Sequence, residues 1–156
     1  MNKKEDNRDT LDGILNESWK MLRRGADRFN DPFHWPVLGT IGKEGVSLRS
    51  VILRDFLLPD RILVCHSDGR ASKIQEIADS PKVSWHFYHP QKKVQLRISG
   101  HAESHANDQF ADKQWAAVKA TPDLDIKKPV PENPFLSIWK YDPSSFLINV
   151  PMCIGN

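Results

Sequence analysis

Short apolar segments separated by turn signals run through most of the chain, and this succession constrains its fold more than any other feature. In the stretch 82–88, Val83, Trp85 and Phe87 alternate with polar residues, as in a strand that buries one face. Residues 42–45 supply hairpin-turn chemistry between two such stretches. The predicted strands cover residues 34–41, 46–56, 61–67, 82–88, 93–103, 135–141 and 146–150.

Helical periodicity is confined to three stretches. Apolar residues from Leu11 to Leu22 recur every three or four positions and predict an amphipathic helix that ends at Gly25. A short helix is expected over 72–78 and another amphipathic helix over 107–118. Because no helix is regularly interposed between strands, the pattern favours a mainly β fold, an antiparallel barrel with flanking helices, over a doubly wound parallel sheet. The absence of glycine-rich nucleotide-binding motifs agrees with this interpretation.

Length, charge and cysteine content bound the kind of protein. At 156 residues the chain is most simply one domain, residues 11–156, after a disordered N-terminus over residues 1–10. The net charge of +2 is too small to argue for nucleic acid, and no segment approaches the length of a membrane span. Cys65 and Cys153 fit neither a disulfide framework nor metal-ligand spacing. We therefore expect a reduced, cytoplasmic protein.

The segment 49–54 is the first of three candidate binding segments. A strand period of two divides its residues between two faces, with Arg49, Val51 and Leu53 on one and Ser50, Ile52 and Arg54 on the other. Burying an arginine among apolar neighbours is costly unless it meets an anion, so Arg49 requires a carboxylate or phosphate partner. Taken alone, this segment favours the alternative, a surface arginine paired with an acidic residue of the protein.

The segment 66–73 is more specific, because a strand gives way to a glycine-containing turn and a helix start within a few residues. Four polar side chains, together with the N–H groups of the first helical turn, would converge on one dianionic group: Ser67, Arg70, Ser72 and Lys73. The alternative is an ordinary helix N-terminus capped by Asp68 or Ser72. This segment alone supports the two interpretations equally.

Gln95 is the third candidate, in the middle of an apolar strand. Its amide either faces solvent, which is the default, or binds a donor-and-acceptor edge of the kind that a flavin or pyrimidine ring presents. The six histidines lack the spacing of a metal site, and no serine or cysteine lies in a nucleophile-elbow pattern. The three segments together predict a site for a phosphate-bearing cofactor.

In this order, the segments resemble the pyridoxamine 5′-phosphate oxidase-like family, the FMN-binding split barrels. The resemblance extends over roughly residues 33–103, with a looser match on either side. The motifs that carry it match in order and spacing: PVLGTI at 36–41, RSVILR at 49–54, HSDGRASK at 66–73, EIADSPKV at 76–83 and VQLRISGHAE at 94–103. The HSDGRASK form is most similar to the branch of oxidase-related FMN-binding proteins.

The resemblance implies an antiparallel split β-barrel and an FMN site. Arg49 and Lys73 would hold the FMN phosphate, helped by Ser72 and Arg70. The residues that would run along the flavin are Ser50, Val51, Ile52, Leu53, His66 and Ser67, and Gln95 would contact its ring system. Arg54 is assigned to a small-molecule substrate. Because the family builds two such sites at a homodimer interface, a second copy of the chain is the implied partner.

Family members that oxidise pyridoxine phosphate carry two features that this chain lacks. One is an arginine and serine pair after the last core strand, which is absent from residues 114–121. The other is a tryptophan with a basic C-terminal segment, whereas residues 151–156 end the sequence without basic residues. The resemblance therefore predicts an FMN-dependent oxidoreductase with an unidentified small substrate. A non-catalytic module that sequesters or senses FMN, and a barrel that binds no flavin, are the alternatives.

Overall fold

The computed structural model describes residues 10–58, 60–119 and 134–149. Its helices are α1 (Leu11–Asp27), a 3-10 helix (Pro32–His34), α2 (Ser72–Asp79) and α3 (Gln109–Lys119). Its strands are β1 (Val37–Gly42), β2 (Gly45–Ser50), β3 (Asp55–Leu57), β4 (Ile62–Asp68), β5 (Lys82–His89), β6 (Val94–His105) and β7 (Pro134–Asn149). Most of the expected N-terminal disorder, and Cys153, lie outside the described residues.

The seven strands form one sheet in the order β2-β1-β5-β6-β7-β4-β3, and the neighbouring strands whose registers are described pair antiparallel. The edge strands β2 and β3 follow each other in sequence, so residues 51–54 connect the two edges. The predicted mainly β fold with flanking helices is confirmed. None of the described helices is long and apolar enough to cross a membrane.

The observed strands differ from the predicted ones at two places in the chain. The strand expected over 46–56 is divided in two: β2 ends at Ser50 and β3 begins at Asp55. The backbone N–H of Val51 still donates to the carbonyl of Pro36 at 2.9 Å, so the chain departs from β1 after this bond. The two closing strands expected over 135–141 and 146–150 are the single strand β7, whose pairing with β6 shifts register between Ile98 and Gly100. A bulge of this kind bends the strand without ending it.

One face of the sheet, here called the inner face, carries the main core. Its largest fully buried side chains include Trp85, Phe87, Leu96 and Ile98 from β5 and β6, packed with Phe33 and Leu22. The alternation predicted for residues 82–88 is therefore confirmed, since Ser84 and Tyr88 lie on the opposite, outer face and are exposed. Burial of this inner face is the main stabilising contribution to the fold.

Gly25 does not end the first helix, contrary to prediction. The helix continues to Asp27, and Gly25 is buried within it. A Cβ atom at this position would lie 2.6 Å from Cβ of Phe33 and 2.8 Å from its carbonyl carbon. Glycine is therefore needed for the close approach of the 3-10 helix to α1, and not for a change of backbone direction.

Candidate functional site

Arg49 lies on the inner face of β2, where α2 covers the sheet. Its Nη2 donates to Oε2 of Glu76 at 2.7 Å, and its Nη1 donates to Thr40 Oγ1. The side chains of Arg49 and Glu76 are only 22% and 15% exposed. Of the two partners that the sequence allows for Arg49, an acidic side chain of the protein or a phosphate, the first is therefore present as Glu76. The remaining N–H groups of the guanidinium have no partner among the described residues, so they stay available to an anion.

The N-terminus of α2 carries no side-chain cap. Its N-cap residue is Ala71, and neither Asp68 nor Ser72 bonds to its first-turn N–H groups. Asp68 instead accepts the backbone N–H of Arg70 at 2.9 Å. The uncapped N–H groups and the positive end of the helix dipole together favour an anion at this position.

Lys73, in the first turn of α2, is half-buried and has no ion pair or hydrogen bond among the described residues. Burial lowers the pKa of its ammonium group, and the nearby charge of Arg49 lowers it further, while Cys65, Asp68 and Glu76 act in the opposite direction. Two cations thus approach each other beside an uncapped helix start. An anion placed between them would relieve both the repulsion and the lack of a partner.

Arg70 is not part of this cluster. Its side chain is 78% exposed and pairs with Asp68, with Nη2 to Oδ2 at 2.7 Å. Bonding to Arg70 holds the pKa of the Asp68 carboxyl at about 2. No contact joins Arg70 to Arg49 or Lys73 among the described residues. Ser67 is buried beside the cluster, and its hydroxyl donates to the carbonyl of Asp68 at 3.1 Å.

A second group of polar side chains lies on the outer face, beneath α3. The ring of His66 packs against Trp115, with centroids 4.7 Å apart and ring planes tilted by 40°. Three buried atoms there, Arg54 Nε, His66 Nε2 and Trp115 Nε1, have no hydrogen-bond partner among the described residues. Burial and the charge of Arg54 lower the pKa of His66 to about 4, although Asp55 opposes the shift. His66 is therefore neutral at physiological pH, and Arg54 is the cation of this group.

The segment between Arg49 and Arg54 lies along the edge of the core. Val51 and Leu53 are buried, whereas Ser50 is exposed and Ile52 is half-buried. The backbone N–H of Leu53 donates to the carbonyl of His34 at 3.0 Å. The two-face division predicted for this segment is thus confirmed in its burial, even though only its first two residues belong to a strand.

Gln95 is not brought to either group within one chain. It lies on the outer face of β6, whereas Arg49 lies on the inner face of β2. His66 pairs across β7 with His105, which is ten positions further along β6 than Gln95. That separation corresponds to about 33 Å of strand path. Gln95 is thus far along the sheet from His66 and on the opposite face from Arg49.

Glu76, Thr40 and Trp115 are site residues that the sequence analysis missed. Glu76 lies in the motif at 76–83 and follows Lys73 by three positions, so the two side chains share one side of α2. This spacing could have identified Glu76 as a neighbour of Lys73 from the sequence alone. The contact of Trp115 with His66 depends on how α3 packs on β4, which no local pattern specifies.

The chain is similar in fold to several solved structures. A pyridoxamine 5′-phosphate oxidase-related, FMN-binding protein of Nostoc punctiforme superposes with a TM-score of 0.59 at 19% identity, covering 81% of this chain and 78% of that chain. General stress protein 26 of Bacillus anthracis gives 0.58 at 19% identity, covering 82% and 89%. HupZ of Group A Streptococcus gives 0.60 at 13% identity, covering 79% and 88%. These likenesses define the class by its fold: the protein is a split β-barrel.

Residues 16–106 match the family model of the pyridoxamine 5′-phosphate oxidase, FMN-binding domain, which is more than half of the chain. The protein belongs to this FMN-binding domain family. No curated protein matches the chain significantly. The resemblance inferred from the motifs is thereby confirmed.

Proposed function

We propose that the protein is an FMN-dependent oxidoreductase that acts on a small substrate. The observation that carries the proposal is the uncapped start of α2 beside the half-buried, unpaired Lys73 and the guanidinium of Arg49. A phosphate dianion supplies the acceptor and the charge that these groups lack. The residues present therefore fit the cofactor that defines the family.

In this proposal Arg49, Lys73 and the first-turn N–H groups of α2 bind the phosphate, with Ser72 and, at longer reach, Arg70 at its edge. The residues along the flavin are Ser50, Val51, Ile52, Leu53, His66 and Ser67. Gln95 contacts the ring system from a second copy of the chain, since within one chain it lies on the opposite face of the sheet from Arg49.

The second copy is proposed to pack on the outer face of the sheet. Three apolar side chains there are largely exposed: Ile41 at 46%, Val46 at 74% and Leu48 at 70%. They line a groove of about 640 Å³ together with His86, Arg97 and Ser99. Gln95 and Arg97, two positions apart on β6, both lie on this outer face. Exposed apolar surface that is continuous with a predicted cofactor contact supports a homodimer interface.

The bound flavin would supply the hydride chemistry, so no side chain is required as an obligate acid or base. His66 keeps its neutral ring at physiological pH because burial lowers its pKa to about 4. Arg54 has no ion-pair partner among the described residues and provides a fixed positive charge beside it. We infer that Arg54 orients an electron-rich or anionic part of the substrate.

A non-catalytic flavin-binding module is the second candidate. Two of the structural neighbours are a general stress protein and HupZ, whose names state no oxidase activity. In this chain Trp115 packs against His66, and the Nε atom of the nearby Arg54 is buried without a partner among the described residues. A covered site favours retention of the cofactor over turnover. The cytoplasmic location remains a prediction from composition and cysteine pattern.

The first test is the visible spectrum of the purified protein, with the released chromophore identified by mass. We expect FMN at about one per chain, reduction by a chemical or enzymatic donor, and reoxidation by an acceptor. Stoichiometric FMN without turnover for any donor and acceptor pair would favour the non-catalytic module. A colourless protein that also fails to bind added FMN would contradict both candidates.

A further inference from the structure

Glu76 joins α2 to the β1–β2 hairpin through three side chains. Its Oε2 accepts from Arg49 Nη2 at 2.7 Å and from the hydroxyl of Thr40, and its Oε1 accepts from Ser47 Oγ at 3.2 Å. These bonds, led by that of Thr40 and followed by that of Arg49, lower the pKa of the Glu76 carboxyl. Glu76 is therefore an ionised residue whose partners are fixed on two neighbouring strands.

The position of this carboxylate matters because the two halves of the proposed phosphate site belong to different elements. Lys73 and Ser72 lie on α2, whereas Arg49 lies on β2. Glu76 is one turn after Lys73 on the same helix. Its bond to Arg49 is the contact that sets the guanidinium relative to the start of α2. An arginine side chain is otherwise free to adopt many rotamers.

We propose that Glu76 is a positioning residue of the phosphate site, which holds the Arg49 guanidinium in place for the anion. The inference rests on the proposed function. Arg49 retains N–H groups without a described partner, so an anion does not have to displace Glu76. Glu76 also offsets the repulsion between Arg49 and Lys73, since its charge raises the pKa of Lys73 where that of Arg49 lowers it. Preorganised donors bind a ligand with less loss of conformational freedom.

The opposite role is that Glu76 competes with phosphate for Arg49. The two roles predict opposite signs for one measurement, the affinity for FMN divided by the affinity for riboflavin, which lacks the phosphate. Positioning predicts that Glu76→Ala lowers this ratio by about tenfold, the effect of one charge-assisted hydrogen bond. Riboflavin affinity should stay within about twofold of wild type, because its binding uses no phosphate contact.

Flavin fluorescence titration of the refolded apoprotein gives both affinities. A ratio that rises in Glu76→Ala would overturn the proposal in favour of competition. Equal losses for FMN and riboflavin would also overturn it, since a general structural role lowers both. If Glu76→Ala does not fold, Glu76→Gln keeps the side chain's size and an acceptor for Thr40 or Ser47. The proposal predicts an intermediate fall in its ratio, and an unchanged or higher ratio opposes it.

Asp79→Asn is the matched control, because it removes the same charge from α2 at a residue that bonds to Gln75 at 2.8 Å and not to Arg49. The ratio of FMN affinity to riboflavin affinity in this variant should remain within about twofold of wild type. A tenfold fall would mean that the effect of Glu76→Ala arises from long-range charge alone, which would overturn the proposal. In an Arg49→Ala background, Glu76→Ala should lower the ratio no further. An undiminished effect there would show that Glu76 does not act through Arg49.

The wild-type ratio separates this proposal from the function on which it rests. A wild-type protein that binds FMN no more tightly than riboflavin has no phosphate site, and both proposals then fail. A wild-type preference for FMN that Glu76→Ala leaves unchanged overturns the role of Glu76 alone.

Discussion

Arg49 bonds to a carboxylate of its own chain and is also the residue proposed to bind a phosphate. These roles are compatible because a guanidinium presents donors on more than one edge, and Glu76 and Thr40 occupy only part of them. A lysine at this position would lack that geometry, since its ammonium group is a point charge on a flexible stem. The residue type at position 49 therefore matters beyond its charge.

His66 makes stability depend on pH. Its pKa is about 4 in the folded protein and near 6.5 for an exposed histidine, with burial as the largest cause and Arg54 as the second. Between these values the unfolded chain binds more protons, so the free energy of unfolding falls as the pH drops through this window. The full effect is on the order of 3 kcal/mol. The protein therefore keeps its full stability above about pH 6.5 and loses this amount of free energy of unfolding as the pH falls toward 4.

The substitution His66→Gln should remove most of this pH dependence of stability, because glutamine does not titrate. Urea denaturation of wild type and variant at several pH values between 4 and 7 measures the difference between their free energies of unfolding. We expect the wild type to lose more stability on acidification than the variant does. Parallel curves over the whole range would show that His66 does not titrate between its folded and unfolded states.

At the residue scale, the sequence is most informative where neighbouring residues follow one another along the chain. The change from strand to helix within the segment 66–73 could be predicted from the order of its residues, and the structure has β4 followed by α2 there. The partner of Arg49 could not, because Glu76 reaches it only through the packing of α2 against β1 and β2. The assignment of Arg49, Lys73 and Gln95 to FMN stays a prediction.

The start of α2 illustrates a conflict between stability and binding. Its N-cap Ala71 leaves the first N–H groups without a side-chain partner. We expect Ala71→Asp to stabilise the free protein by about 1 kcal/mol, because the carboxylate caps the helix and interacts with its dipole. The same carboxylate should weaken FMN binding by occupying those donors and repelling the phosphate.

Thermal unfolding and FMN titration of the Ala71→Asp variant test both halves of that prediction. Ala71→Ser is the control, since it caps the helix without adding charge and should weaken FMN binding less. A variant that gains stability and still binds FMN as tightly as wild type would place the phosphate elsewhere.

Gly25 holds α1 against the 3-10 helix. Gly25→Ala should destabilise the protein by about 1–3 kcal/mol through overpacking against Phe33, although alanine favours a helix by about 1 kcal/mol. Chemical denaturation measures the change, with the exposed Asn16→Ala on the same helix as the control that gains slightly. A more stable Gly25→Ala variant would mean that Phe33 moves without cost.

At the scale of the molecule, the outer face of β1 and β2 is predicted to bind a second chain. Leu48→Glu should leave the stability of one chain within about 0.5 kcal/mol, because the side chain is 70% exposed there. In a dimer it would bury a charge, so sedimentation should show monomers and FMN affinity should fall. Leu11→Glu, at a site 86% exposed on α1, is the matched control. If the Leu48→Glu protein sediments like wild type, the outer face of β1 and β2 is not the dimer interface.

The architecture was predictable because alternation and turns are repeated along the whole chain, which fixes antiparallel strands and their approximate ends. The departures occur where tertiary contacts override local pattern. Residues 51–54 leave the sheet to connect its two edges, and β7 continues through residues that resemble a turn because β6 pairs with it on both sides. The separation of Gln95 from the Arg49 cluster likewise follows only from the observed strand order.

The central claim, that Arg49 and Lys73 bind the phosphate of FMN, is tested most directly by titrating wild type and the double variant Arg49→Ala/Lys73→Ala with FMN. Losing two charge-assisted contacts should cost about 3–6 kcal/mol of binding free energy, while circular dichroism shows an unchanged fold. Arg70→Ala, which removes an exposed arginine bonded to Asp68, should have a much smaller effect. Equal FMN affinity in wild type and double variant would contradict the site.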